Sequence, residues 1–274
     1  MSLEFAVNHM TAPQLSLADF LQLAADLLVP RVEIRNDISG EAILDGTPAS
    51  EVKRLASEND VTIISINALQ KFNLWSDTRA GEAETLARYC AESGAKALVL
   101  VADNSGQTFD SATRIAHATE ALKGLVPILR RHGIIGLVEC LGFETCTLRS
   151  KKEAVAAIDA ADGRDVLRLT HDTFHHHLAG EADLFPELTG LIHISGVEDP
   201  AVAVRDMRDS HRVLVGPKDR LDNIGQIAAL RRGGYTGPLS FEPFAEDLRH
   251  LPDPAAAVRA SMQFISDALK ARAA

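Results

Sequence analysis

The chain has 274 residues and little that would tie it to a membrane, a nucleic acid or an oxidising compartment. Three cysteines, Cys90, Cys140 and Cys146, make no disulfide framework, and none belongs to a CxxC pair. No apolar run approaches the roughly 18 residues needed to span a bilayer. The opening segment, MSLEFAVNHM, lacks a basic stretch ahead of an apolar core, so no signal peptide is expected. Basic side chains are a minority: 28 Lys and Arg against 38 Asp and Glu, a net charge of −10. Binding to polyphosphates relies on surplus Lys and Arg, which excludes nucleic acid as an expected partner. No GxGxxG follows the first predicted strand, which disfavours a dinucleotide fold. Linkers rich in Pro, Gly or Ser are missing, as are low-complexity tracts. These absences predict one domain over residues 1–274, a cytoplasmic location and no membrane partner; a homo-oligomer stays open.

What is present is an alternation. Hydrophobic residues make up 46% and charged residues 24%, ordinary values for a globular protein. Short aliphatic or β-branched runs predict strands at 3–7, 31–35, 61–66, 97–102, 134–139, 166–170, 191–195 and 238–241. Stretches of helical periodicity fill most gaps, at 17–28, 50–59, 79–93, 110–131, 150–160 and 221–232. Ser16 is placed to cap the first helix, with Asp19 three residues on. Gly233-Gly234 is a stop signal, and Pro254 can open a last helix. Eight strands alternating with helices predict a single (β/α)8 TIM barrel, with a doubly wound open sheet as the alternative.

Chemistry in such barrels sits at the C-terminal ends of the strands. Strand five ends LVECLGF, with Glu139 at the rim. Strand six runs into LTHDTFHHH, with Asp172 and then His175. Strand seven, LIHISGVED, contains His193, and strand eight, LSFEPF, is followed by Glu242. A lone rim carboxylate is usually solvated, and a lone His in an apolar run is usually a core residue. Four such groups on consecutive strands, spaced about 4.8 Å apart, can instead converge on one divalent ion, Mn, Zn, Co or Mg. Other polar groups stand near the mouth. Asn8 and His9 follow strand one, and Asn67 ends strand three. Glu33 and Arg35 alternate on one face of strand two, as site groups or as part of an internal salt bridge. Phe72 and Trp75 form either an apolar wall over a substrate or core packing. Gly216, Lys218 and Arg220 lie where barrels often hold phosphate, but also read as a solvated basic turn.

The segments VEIRND, INALQKFN, VECLGFETCTLRS, DTFHHHL, HISGVED and FEPF resemble the xylose-isomerase-like sugar isomerase/epimerase barrels, and among them most nearly the inosose (2-keto-myo-inositol) isomerases of inositol catabolism. The resemblance implies one divalent metal ion held by Glu139, Asp172, His193 and Glu242. It implies Glu139 and Glu242 as the acid/base pair, and His175 and Arg212 as substrate contacts; Asn8, Asn67 and Trp75 are further candidate contacts. The segment after Arg212 departs from the pattern. Related barrels carry Arg-Val-x-Pro-Gly-x-Gly, whereas this chain has Arg212-Val213-Leu214-Val215-Gly216-Pro217-Lys218. The expected substrate is a small polyhydroxy ketone. Proton removal beside its carbonyl gives a cis-enediolate; reprotonation at the neighbouring carbon moves the ketone, and at the same carbon inverts it. The expected reaction is 2-keto-myo-inositol to 1-keto-D-chiro-inositol. The alternatives are a ketose 3-epimerase, a metal-dependent 3-dehydroshikimate-type dehydratase, an endonuclease IV-like repair enzyme and a non-catalytic sugar-binding barrel. The acidic balance and the single quartet oppose the repair enzyme.

Overall fold

The computed structural model describes residues 3–38, 43 and 45–273. Eight parallel strands pair in sequence order and close into a barrel. They are β1 (Phe5–Asn8), β2 (Arg31–Arg35), β3 (Thr62–Gln70), β4 (Ala97–Val101), β5 (Ile135–Glu139), β6 (Leu167–Asp172), β7 (Thr189–Ile194) and β8 (Leu239–Phe241). Helices follow them: α1 (Leu17–Asp26), α2 (Ala49–Glu58), α3 (Asp77–Ser93), α4 (Ser111–His132), α5 (Lys151–Ala160), α6 (Thr173–Ala179), α7 (Asn223–Arg232) and α8 (Pro254–Ala273). The fold is the (β/α)8 barrel predicted above, not an open sheet.

The alternating direction of strand side chains sorts the apolar residues into two sets. Leu98, Leu100, Val138, Ile192, Ile194, Leu239 and Phe241 belong to the large core shared with the helices. Ala97, Val99, Leu137 and Leu191, of opposite parity, form a separate small cluster inside the barrel. The parity of that inner cluster, continued two residues along, gives Glu139 after Leu137 and His193 after Leu191. The apolar plug therefore sits below, and the polar groups stand at the C-terminal rim.

Local signals start the helices. Ser16 accepts the Asp19 N–H at α1, Ser76 the Arg79 N–H at α3, and Asp110 the Thr113 N–H at α4. After α7 the positive φ falls on Gly234, at +99°. The short helix α6 has no counterpart among the predicted helices. Its seven residues, TFHHHLA, are too few and too polar to show a periodic apolar face, and it begins directly at the end of β6. Strand β3 runs on to Gln70, so Asn67 lies within it rather than at its end.

Candidate metal centre

Glu139, Asp172, His193 and Glu242 meet at the rim. Each offers one ligand atom, all four atoms lie within 4.8 Å of one another, and all four residues are buried. Strand register produces this. Asp172 is the Cα partner of His193, and Ser240, two residues before Glu242, is also opposite His193. His193 Nδ1 is 3.0 Å from Glu139 Oε1 and 3.2 Å from Glu242 Oε2. Asp172 divides its carboxylate between two tasks. Its Oδ1 accepts the N–H groups of Phe174 and His175, at 2.8 and 3.0 Å, and so caps α6. Its Oδ2 faces the centre, 2.6 Å from Arg212 Nη2.

The electrostatics follow from three carboxylates buried together. Burial raises the Glu139 pKa, and the neighbouring Glu242 and Asp172 add to the rise against the pull of His193. Burial acts the same way on Glu242, but His193, Arg212 and Arg35 outweigh it and hold this group well below the usual carboxylate range. Burial would lower His193, yet Glu242, Glu33 and Glu139 push it well above an ordinary histidine. An arrangement of three carboxylate oxygens and one imidazole nitrogen, with negative charge in excess, suits a divalent cation with oxygen and nitrogen ligands.

The other predicted residues divide into those near this centre and those elsewhere. Arg212 is 1% exposed and reaches the quartet despite the altered sequence after it. Its Nη2 is 3.0 Å from Glu242 Oε2, its Nε donates to Ser195 Oγ, and its guanidinium lies between the rings of Phe174 and Phe244. Its carbonyl accepts the N–H groups of Phe244 and Ala245, which ties the loop to the end of β8. His175 is buried beside Phe143, ring centroids 5.1 Å apart, and its Nδ1 has no hydrogen-bond partner. A Cβ on Gly142 would come within 2.2 Å of the His175 carbonyl oxygen, so only glycine lets this loop lie so close to α6. Asn8 is buried, 3.4 Å from Glu242 Oε1, and its Oδ1 accepts from Arg35. Asn67 instead donates to Glu33, 2.9 Å away.

Trp75 is corrected. Its indole packs against Gly124 in the outer helix α4, where a Cβ would come within 2.2 Å of the ring. With Phe72 it belongs to the apolar core rather than forming a wall over the quartet. Glu33 and Arg35, which alternate on one face of β2, both enter internal ion pairs of the barrel. Glu33 meets His193, and Arg35 meets Glu242 at 2.7 Å and Asp37 at 2.7 Å. Arg220 does not stand ready for a phosphate: its Nη1 donates to the carbonyls of Asp199 and Val202 and folds its own loop. Ser195, Phe174 and Phe244, which set the position of Arg212, have no local pattern in the sequence that marks this role. The segments HISGVED, DTFHHHL and FEPF quoted above contain Ser195, Phe174 and Phe244 in turn.

A family profile described as xylose isomerase-like TIM barrel matches residues 21–268. No curated protein matches the sequence. Among solved structures, a xylose isomerase domain-containing protein of Salmonella typhimurium LT2 is 32% identical with a TM-score of 0.89, over 97% of this chain and 99% of that one. The IolI protein, solved with a bound zinc atom, is 20% identical with a TM-score of 0.86, over 98% and 99%. The D-psicose 3-epimerase of Clostridium cellulolyticum H10, solved with D-tagatose, is 14% identical with a TM-score of 0.73, over 97% and 99%.

Proposed function

Because the chain belongs to the xylose isomerase-like TIM barrel family, we propose that it is a divalent-metal-dependent isomerase of a small polyhydroxy ketone, converting 2-keto-myo-inositol to 1-keto-D-chiro-inositol. The observation that carries this reading is the buried quartet, in which two glutamates on β5 and after β8 flank one ligand centre. The zinc reported in the IolI structure and the sugar reported with the epimerase support the metal and the substrate class. Glu139, Asp172, His193 and Glu242 would hold the ion. When bound, it supplies Lewis-acid stabilisation of the negative charge that develops on the ketone oxygen.

The protein side chains do the rest. Glu139, whose pKa is raised by burial, takes a proton from the carbon beside the carbonyl. Arg212 and His175 hold the neighbouring oxygens, and the planar guanidinium is kept in place by the rings of Phe174 and Phe244. Glu242, ionised between His193 and two arginines, is the second carboxylate of the exchange. Return of the proton to the adjacent carbon, with the hydrogen redistributed between the two oxygens, completes the isomerisation. The test is proton NMR in D2O with Mn(II) and 2-keto-myo-inositol, beside an EDTA-treated control. Metal-dependent appearance of a second inosose supports the assignment. No change in folded, metal-loaded protein overturns the substrate. Epimerised free ketoses would then indicate a ketose 3-epimerase, and an aromatic product from 3-dehydroshikimate a dehydratase.

A further inference from the structure

Glu33 is a buried carboxylate that the mechanism above does not use. It is 0% exposed, on β2, facing β7 across the barrel interior. His193 Nε2 lies 3.1 Å from both of its oxygens, while the opposite ring nitrogen, Nδ1, faces Glu139 and Glu242. Three further donors converge on the same carboxylate: Ser65 Oγ at 2.5 Å, Asn67 Nδ2 at 2.9 Å, and Ser240 Oγ. The adjacent strand β3 and, beyond β1, strand β8 therefore clamp one carboxylate of β2 beneath the ring of a residue on β7.

We infer that Glu33 is a positioning residue that fixes the tautomer and orientation of His193, directing its Nδ1 lone pair into the metal centre. An imidazole that binds a metal through one nitrogen carries its proton on the other, and an acceptor for that proton sets the tautomer and raises the basicity of the ligating nitrogen. The carboxylate of Glu33 is the acceptor on the Nε2 side. Ser65, Asn67 and Ser240 serve this arrangement by holding Glu33, which gives Asn67 a place two contacts from the centre instead of at the substrate. Glu33 is thus assigned no contact with substrate. The inference rests on the metal-dependent reading above.

The test is metal binding, not turnover. Zn(II) affinity is measured by calorimetry for the wild type, Glu33→Gln and Glu33→Ala, with folding checked by circular dichroism. Side-chain ¹H–¹⁵N spectra of the zinc-loaded wild type report which nitrogen of His193 carries the proton. The expected result is a wild-type His193 protonated at Nε2, and a 10- to 100-fold weaker affinity in Glu33→Gln, with a larger loss in Glu33→Ala. At saturating metal the KM of Glu33→Gln stays near that of the wild type while kcat falls, because Glu33 acts through His193. A His193 protonated at Nδ1 in zinc-loaded wild type overturns the inference, and this spectrum needs no variant to fold. A folded Glu33→Gln that binds zinc within threefold of the wild type also overturns it while leaving the proposed function standing. A wild type that binds no divalent ion overturns both.

Discussion

Two buried polar clusters share strand β6 and answer opposite needs. Asp172 points into the barrel, where it joins two glutamates and His193. His171, one residue earlier, points outward and meets Lys151, whose Nζ lies 2.9 Å from His171 Nδ1 and 3.0 Å from His176 Nδ1. Gln226 closes the outer cluster by accepting from His171 Nε2 at 2.8 Å. The outer cluster contains its own cation and pairs it with neutral imidazoles: burial, helped by Lys151, lowers His176 to about 3. The inner cluster has three carboxylates converging with one imidazole; Arg212 and Arg35 pair with Asp172 and Glu242, while among the described residues Glu139 is paired with His193 alone. Close packing of like charge without full compensation is a design for an incoming ligand, whereas a cluster closed by the chain's own groups is a design for holding two elements together.

The comparison can be broken most severely at the inner cluster. Glu242→Gln should lower turnover by at least about 100-fold in folded, metal-loaded protein, as read by the NMR assay. Wild-type turnover would remove Glu242 from the proton exchange. Metal should next separate the clusters in stability. Saturating Zn(II), at about 100 times Kd, should stabilise the wild type by about 2.7 kcal/mol in denaturant titrations. Asp172→Asn should lose most of that increment, although its side-chain oxygen can still cap α6. Lys151→Met should keep the increment, and its loss there would place Lys151 in the metal centre.

The outer cluster makes its own prediction with pH. Burial lowers Lys151 from the usual 10.5 to about 8. Between those values the unfolded chain holds more protons than the folded one, so folding stability contributed by this residue rises with pH across that window. The rise is worth roughly 3 kcal/mol at most, and Lys151→Met should lack it when the two proteins are unfolded in urea from pH 7 to 10.5. The smallest effect is expected away from both clusters. Trp75→Phe should change KM by less than twofold, and a larger shift would return Trp75 to the substrate.

Much of this was legible in the sequence because strands have a period of two. Counting along β5, β7 and the end of β8 brings Glu139, His193 and Glu242 to one rim, and the structure does place them with Asp172. At Glu33 and Arg35 the same period gives the shared face but does not name the partners. Those partners come from β7 and β8, more than 150 residues away, and only barrel closure brings them near. Arg212 could be located only by resemblance, because its place depends on loop hydrogen bonds and two aromatic rings rather than on a repeating pattern. Trp75 was ambiguous because a tryptophan after a strand looks the same whether it faces a cleft or Gly124 of a neighbouring helix. The helix α6 is hidden because its seven residues show no periodic apolar face and its start signal, Asp172, is also a predicted metal ligand.

That double use has a consequence for anyone who would transplant the centre. Half of the Asp172 carboxylate belongs to the backbone of α6, and α6 carries His175 and ends at Gly180, whose φ is +63°. A graft that copied the four side chains alone onto another barrel would leave this aspartate without the amides that aim it. The portable unit is a cassette from 170 to 180, strand end, aspartate, helix and terminating glycine together, inserted without changing the count of residues before it.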